Sequence, residues 1–129
     1  MKTFYIRFIK ELLKRHYRPK DIRSLYTDVT PFFIHIVSVK NIYTIKEIKP
    51  EHVTEYCDSV RASITGLNSF WPVLHANNKL CAVRMFCLQM FIAGVLPSDY
   101  SIHAGFIDIP DTVTANHKND LLRKINDLT

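Results

Sequence analysis

The sequence predicts an all-α bundle of four helices, followed by a C-terminal linker and one short helix. Three observations carry that expectation. Apolar residues recur at helical spacing through four separate segments. Pro19, Pro50 and Gly94 fall at the ends of those segments, where helices start and stop. Only 3 Gly occur in 129 residues, which argues against a barrel, a sandwich or a Gly-rich phosphate loop.

In the first segment Tyr5, Phe8, Leu12 and Leu13 form the expected apolar face, with Arg7, Lys10, Glu11, Lys14 and Arg18 opposite. The second segment starts at Pro19 and buries Ile22, Leu25, Tyr26, Val29, Phe32, Phe33 and Ile36, with Lys20, Arg23 and Thr27 as the outer stripe. Pro31 lies inside it and is expected to kink or divide the helix, since proline removes a backbone donor. Residues 37–43 then turn the chain. The third segment opens on Lys49-Pro50-Glu51 and buries Val53, Tyr56, Cys57, Val60 and Ile64. Gly66 to Pro72 reads as a loop that carries the only tryptophan, Trp71. The fourth segment runs from about His75 to Ala93. Its later half is apolar almost all round, which places it at the centre of the bundle. Gly94 ends it, with Pro97 just beyond. No period is visible from Ser98 to Val113, so the expected division is a helical domain over 1–97 and a linker with a short helix over 98–129. Thr114 would cap that last helix, and Leu121, Leu122, Ile125 and Leu128 would form its apolar face.

Length fits one domain, and a hydrophobic fraction of 47% excludes wholesale disorder. No apolar run is long enough to span a bilayer, and Arg7 and Lys10 arrive too early for a signal-peptide core. A cytoplasmic protein without a membrane role is therefore expected. The three cysteines, Cys57, Cys81 and Cys87, form no C-x-x-C pair and read as small buried hydrophobes.

Nothing in the sequence spells an active site. The six histidines are scattered one per element, without H-x-x-x-H or H-E-x-x-H spacing. No G-x-S-x-G, Walker A or G-x-G-x-x-G run occurs, so neither a catalytic residue nor a cofactor or metal is expected.

Charge is more informative. The net charge is +5, and Lys2, Arg7, Lys10, Lys14, Arg15, Arg18, Lys20 and Arg23 crowd the first 23 residues against only Glu11 and Asp21. Such a cluster suits a polyanion, nucleic acid first and an acidic membrane surface second. Lys20, Arg23 and Thr27 mark one polar helix start; Asn77, Asn78, Lys79 and Arg84 mark another. Lysine and arginine neutralise phosphates, while Asn and Arg also reach base edges. The same residues equally suit two ordinary solvated faces.

The order of segments resembles the N-terminal, SAM-like core-binding domain of phage integrases and other tyrosine recombinases. Pro19-Lys20-Asp21-Ile22-Arg23-Ser24-Leu25-Tyr26, running on to Phe32-Phe33, is similar to that family's second helix. Ile45 to Tyr56, with Lys49-Pro50-Glu51 at its centre, resembles the next helix start. Asn78-Lys79-Leu80-Cys81-Ala82-Val83-Arg84-Met85-Phe86, continuing to Gly94-Val95-Leu96, keeps the register of the fourth. Ile109-Pro110-Asp111-Thr112-Val113-Thr114 with Leu121-Leu122 looks like the linker and first helix of the catalytic domain. Four departures stand out. Asp21 replaces the family's usual Thr, and Lys49 stands where a capping Ser, Thr or Asp is common. The Gly66–Pro72 loop is long and apolar, and Pro31 interrupts the second helix.

The resemblance implies a four-helix SAM-like orthogonal bundle that binds double-stranded DNA and clamps one side of the duplex with its second and fourth helices. It points to Arg15, Arg18, Lys20, Arg23, Thr27, Asn77, Asn78, Lys79 and Arg84 as the DNA-binding residues. The family's catalytic Arg, Lys, H-x-x-R pair and nucleophilic Tyr belong to a C-terminal domain, so this chain alone is expected not to be an enzyme. Self-association with other recombinase protomers on DNA is part of the same expectation, as is contact with the catalytic domain if the chain is a fragment. Two alternatives fit the same sequence. One is a helical protein-interaction module using the Leu121, Leu122 and Ile125 face and the Phe70-Trp71 loop. The other is a truncated integrase acting as a regulatory DNA-binding protein.

Overall fold

A computed structural model describes residues 1–64 and 70–105, together with 122, 123, 125 and 126. The described residues are all-α and include four helices, α1 (Lys2–Lys14), α2 (Pro19–Ile34), α3 (Pro50–Ser63) and α4 (Phe70–Ile92). A π-helical turn follows α2 at His35–Val39, and short 3-10 turns lie at Ile45–Glu47 and Tyr100–His103. No strand occurs among the described residues.

Helix α1 buries Phe4, Phe8, Leu12 and Glu11. The expected face is therefore shifted: Leu13 is exposed and Phe4 takes its place in the core. The cause lies at Tyr5, whose ring stacks on Tyr26 at 4.4 Å and whose hydroxyl donates to Thr30 Oγ1 at 2.6 Å. Those contacts fix the roll of α1 against α2. Rolled this way, α1 buries Glu11, which is only 4% exposed. Its carboxylate is met by Arg7 at 3.9 Å and Lys14 at 3.5 Å, as a buried charge requires.

Proline at the first position starts α2, and the helix runs unbroken through Pro31 to Ile34. The expected division does not occur there. The departure comes one turn later, where Lys40 N–H reaches the His35 carbonyl at 3.2 Å in π-helical spacing. Asn41, with φ 55, then turns the chain as residues 37–43 predict. Lys49 brings no capping oxygen to α3; instead its own backbone N–H donates to His52 Nδ1 at 2.9 Å. Below that start, Lys40 pairs with Glu55.

Helix α4 begins at Phe70, earlier than the sequence suggests, so Trp71 and Pro72 sit in its first turn. Pro72 fits there because the N–H it lacks would find no intrahelical partner anyway. Residues 66–69 of the expected loop lie outside the described residues. As its all-round apolarity predicts, α4 is central, packing on α1, α2, α3 and the Tyr100–His103 turn. Phe86 receives the edges or faces of Phe8 at 5.4 Å and Phe33 at 4.9 Å, and Phe32 meets Tyr56 at 5.3 Å. Tilted and edge-on aromatic pairs of this kind contribute about 1 kcal/mol each beyond the area they bury.

The core does not stop at residue 97. Leu96, Tyr100 and Ala104 are buried with the helices, and Arg61 Nη2 donates to the Gly105 carbonyl at 2.8 Å. Residues 100–104 were expected in a linker because a single 3-10 turn is too short to display a period. Of the expected last helix, Leu122, Arg123, Ile125 and Asn126 are helical and exposed. Leu121, Leu128 and Thr114 lie outside the described residues.

Candidate nucleic-acid interface

Helices α2 and α4 pack along a seam in opposite senses. At one end the Tyr17 hydroxyl meets Met85 Sδ at 3.5 Å; at the other, Asp28 feels the charges of Lys79 and His75. The start of α2 and the polar stretch of α4 therefore lie toward opposite ends of that seam. A cleft of about 440 Å³ runs between them, lined by Asp21, Ser24 and Asp28 from α2 and by Asn78, Cys81 and Met85 from α4.

On the outer face of α2, Lys20, Arg23 and Thr27 are exposed one turn apart. Neither Lys20 nor Arg23 has an ion-pair partner among the described residues. The Thr27 hydroxyl donates to the Arg23 carbonyl at 3.1 Å, so its proton is committed and its oxygen can only accept. Arg18 is held by Asp21 at 3.0 Å. Asp21 thus neutralises part of the cation cluster at the start of α2. Arg15 Nε donates to Gln89 Oε1 at 2.7 Å, which anchors the end of α1 to α4 and leaves the rest of the guanidinium at the surface.

Across the seam, Asn78 and Lys79 lie on the side of α4 toward α2. Asn77 and Arg84 do not join them. A helix turns 100° per residue, so Asn77 sits about 200° round from Lys79 and shares its side with Arg84, seven residues on. Both are half-buried, and neither is without a partner. The structure places Arg15, Arg18 and Lys20 toward one end of the seam, Asn78 and Lys79 toward the other, and Arg23 and Thr27 along the outer face of α2, and it turns Asn77 and Arg84 to a different side of α4.

One residue of this region escapes a reading of sequence pattern. Asp28 stands on the seam among the cations, where burial raises its carboxyl above the usual range while Lys79 and then His75 pull it back. The cysteines divide likewise. Cys57 and Cys87 are buried as expected, and burial lifts both thiols, Cys57 to about 11. Cys81, expected to be buried, is half-exposed because it lines the cleft. Among the described residues no group of three or more His, Cys, Asp or Glu is placed to hold a metal ion, and no helix is long and apolar enough to cross a membrane.

In comparison with known proteins, no family model, curated relative or solved structure matches the chain.

Proposed function

We propose that the chain binds double-stranded DNA as the N-terminal core-binding domain of a tyrosine-type site-specific recombinase, a SAM-like bundle that clamps one side of the duplex. The observation that supports this most is the exposed, unpaired Lys20–Arg23 stripe of α2, with Lys79 and Asn78 across the seam and Arg15 and Arg18 at its end. In this reading Lys20, Arg23, Lys79 and Arg15 grip phosphates. Asn78, whose amide both donates and accepts, is the group suited to a base edge. The chemistry of strand exchange would reside in a separate catalytic domain, and this chain contributes position.

Phosphate contacts make affinity fall with salt, by about 0.9 log units per tenfold salt for each phosphate neutralised. Four cations predict a slope near about −3.6, and so a loss of roughly a hundredfold between about 50 and 200 mM salt. Fluorescence anisotropy on a labelled duplex measures it. Lys20→Glu with Lys79→Glu should weaken binding and flatten the slope by about two units. An unchanged slope in that double variant would remove this face from the DNA.

A second reading has its own support. Leu122 and Ile125 are exposed on the last described helical residues, as a protein-interaction module would require. Concentration-dependent association without any DNA affinity, measured by sedimentation, would favour it over the first.

A further inference from the structure

The outer side of α1 leaves an apolar stripe in solvent. Phe4, Phe8 and Leu12 enter the core, yet Ile6 is 56% exposed, Leu13 is 58% exposed and Ile9 is half-buried. Their spacing of three and then four residues sets all three within an arc of about 60°, at about 100° per residue. Apolar side chains exposed singly are ordinary, whereas a contiguous set marks an interaction surface. This set continues onto α2. Tyr5, one turn before Ile9, stacks on Tyr26 at 4.4 Å, and Tyr26 is itself 45% exposed. Ile6, Ile9 and Leu13 thus form a ridge beside a tyrosine pair that bridges the two helices.

Charge on this side has one sign. Lys2 precedes Ile6 by one turn, Lys10 follows it by one turn, and Arg23 precedes Tyr26 by one turn on α2. All three are exposed, and none forms an ion pair among the described residues. The carboxylates of the two helices are Glu11, Asp21 and Asp28, and each lies elsewhere. Glu11 is buried with Arg7 and Lys14 on the opposite side of α1, while Asp21 and Asp28 line the cleft against α4.

We propose that this face docks an acidic amphipathic helix of a partner protein, laid along α1 with its apolar residues on Ile6, Ile9 and Leu13 and its carboxylates on Lys2, Lys10 and Arg23. The stripe decides the shape of the occupant, because spacing of three and four residues over a narrow arc is the seam of paired helices. A helix lying on a lipid surface buries a broad apolar face instead, and the broad face of α1, with Phe4, Phe8 and Leu12, is committed to the core. Charge decides the composition of the occupant. A second copy would bring the same three cations against themselves across a two-fold contact, and like charges across an interface cost affinity. The proposal stands on α1 and is independent of duplex binding.

Anisotropy of a labelled helical peptide tests it on the full chain. The probe spans about three heptads, with Leu at the seam positions and Glu beside them, long enough to hold a helix in water. It should bind saturably. The same peptide with Lys in place of Glu should not bind, and a scrambled peptide of equal composition should bind about tenfold more weakly or worse. Ile6→Ser with Leu13→Ser should weaken binding about tenfold or more and leave the urea midpoint unchanged, since both side chains are exposed. Lys10→Glu should weaken it about threefold to tenfold at low salt, with the loss shrinking as salt rises. No binding of the Glu peptide, equal binding of the scrambled or Lys peptide, or full affinity in the Ile6→Ser, Leu13→Ser variant would each overturn the proposal. Self-association of the chain that the same variant abolishes would also overturn it, giving the face to a second copy. Binding to phosphatidylserine vesicles that the variant abolishes would overturn it in favour of a lipid surface.

Discussion

Asp28 is the residue with the most leverage over the basic face. Its carboxylate lies at the α2–α4 seam, where burial disfavours the charged form and Lys79 and His75 partly restore it. A carboxyl whose folded value is raised contributes stability below its unfolded value of 3.8, and that contribution is lost as pH rises through the folded value. At neutral pH the group is therefore a net liability to the fold and a negative charge facing any bound phosphate. Asp28→Asn should remove both effects. Duplex affinity is expected to rise about threefold to tenfold at low salt, with the gain shrinking as salt screens it. Weaker binding would mean that Asp28 is needed to hold Lys79 in place. Sequence pattern could show Lys20 and Arg23, because their stripe is contiguous on one helix. It could not show Asp28 or the buried Glu11 as special. The groups that matter to Asp28 come from α4, and Glu11 turns inward only once Tyr5 has fixed the roll of α1.

Helix ends are legible where one residue type solves a backbone problem, and less so where side-chain packing decides. Gly94 ends α4 in the left-handed region, φ 77, with Gly94 N–H on the Phe91 carbonyl at 3.0 Å and Val95 N–H on the Met90 carbonyl at 2.9 Å. That is the Schellman arrangement, and glycine at its turning position is readable directly from sequence. Helix α1 ends in the same arrangement. Tyr17 N–H reaches the Leu12 carbonyl at 3.2 Å and His16 N–H the Leu13 carbonyl at 3.1 Å, but His16 occupies the glycine position with φ 62. No sequence rule would choose histidine there. A Cβ at Gly94 would touch nothing within 4 Å, so Gly94→Ala tests conformation alone. It should destabilise the fold by about 1 kcal/mol in urea denaturation. His16→Gly should move the other way, by less, because glycine also gains freedom in the unfolded chain. Equal midpoints for Gly94→Ala and the parent would show that the α4 cap does not hold the left-handed turn. The early start of α4 was hidden for a related reason: Pro72 reads as a breaker in a string of letters but is harmless in a first turn.

On the scale of the whole molecule, four helices and their order follow from periodicity, whereas the extent of the core does not. Periodicity detects elements that repeat. The Tyr100–His103 turn does not repeat, yet it inserts Tyr100 between α3 and α4 and is followed by the fully buried Ala104. The globular unit therefore reaches at least Gly105, whose carbonyl is held by Arg61 from α3. Tyr100→Ala distinguishes an integral turn from a loosely attached connector. If the turn is integral, the loss should resemble other large aromatic truncations in cores, about 3–5 kcal/mol, and lower Tm by more than about 10 °C. A connector residue would change stability by less than about 0.5 kcal/mol. Duplex binding supplies the complementary half of the test. The turn packs on α3 and α4, while the exposed cations lie on the outer face of α2 and across its seam. At a temperature where the Tyr100→Ala variant remains folded, its salt slope should match the parent's. A flattened slope together with lost stability would mean that the core and the proposed DNA face are one mechanical unit, because α4, which both share, had shifted the Lys79 ammonium away from α2.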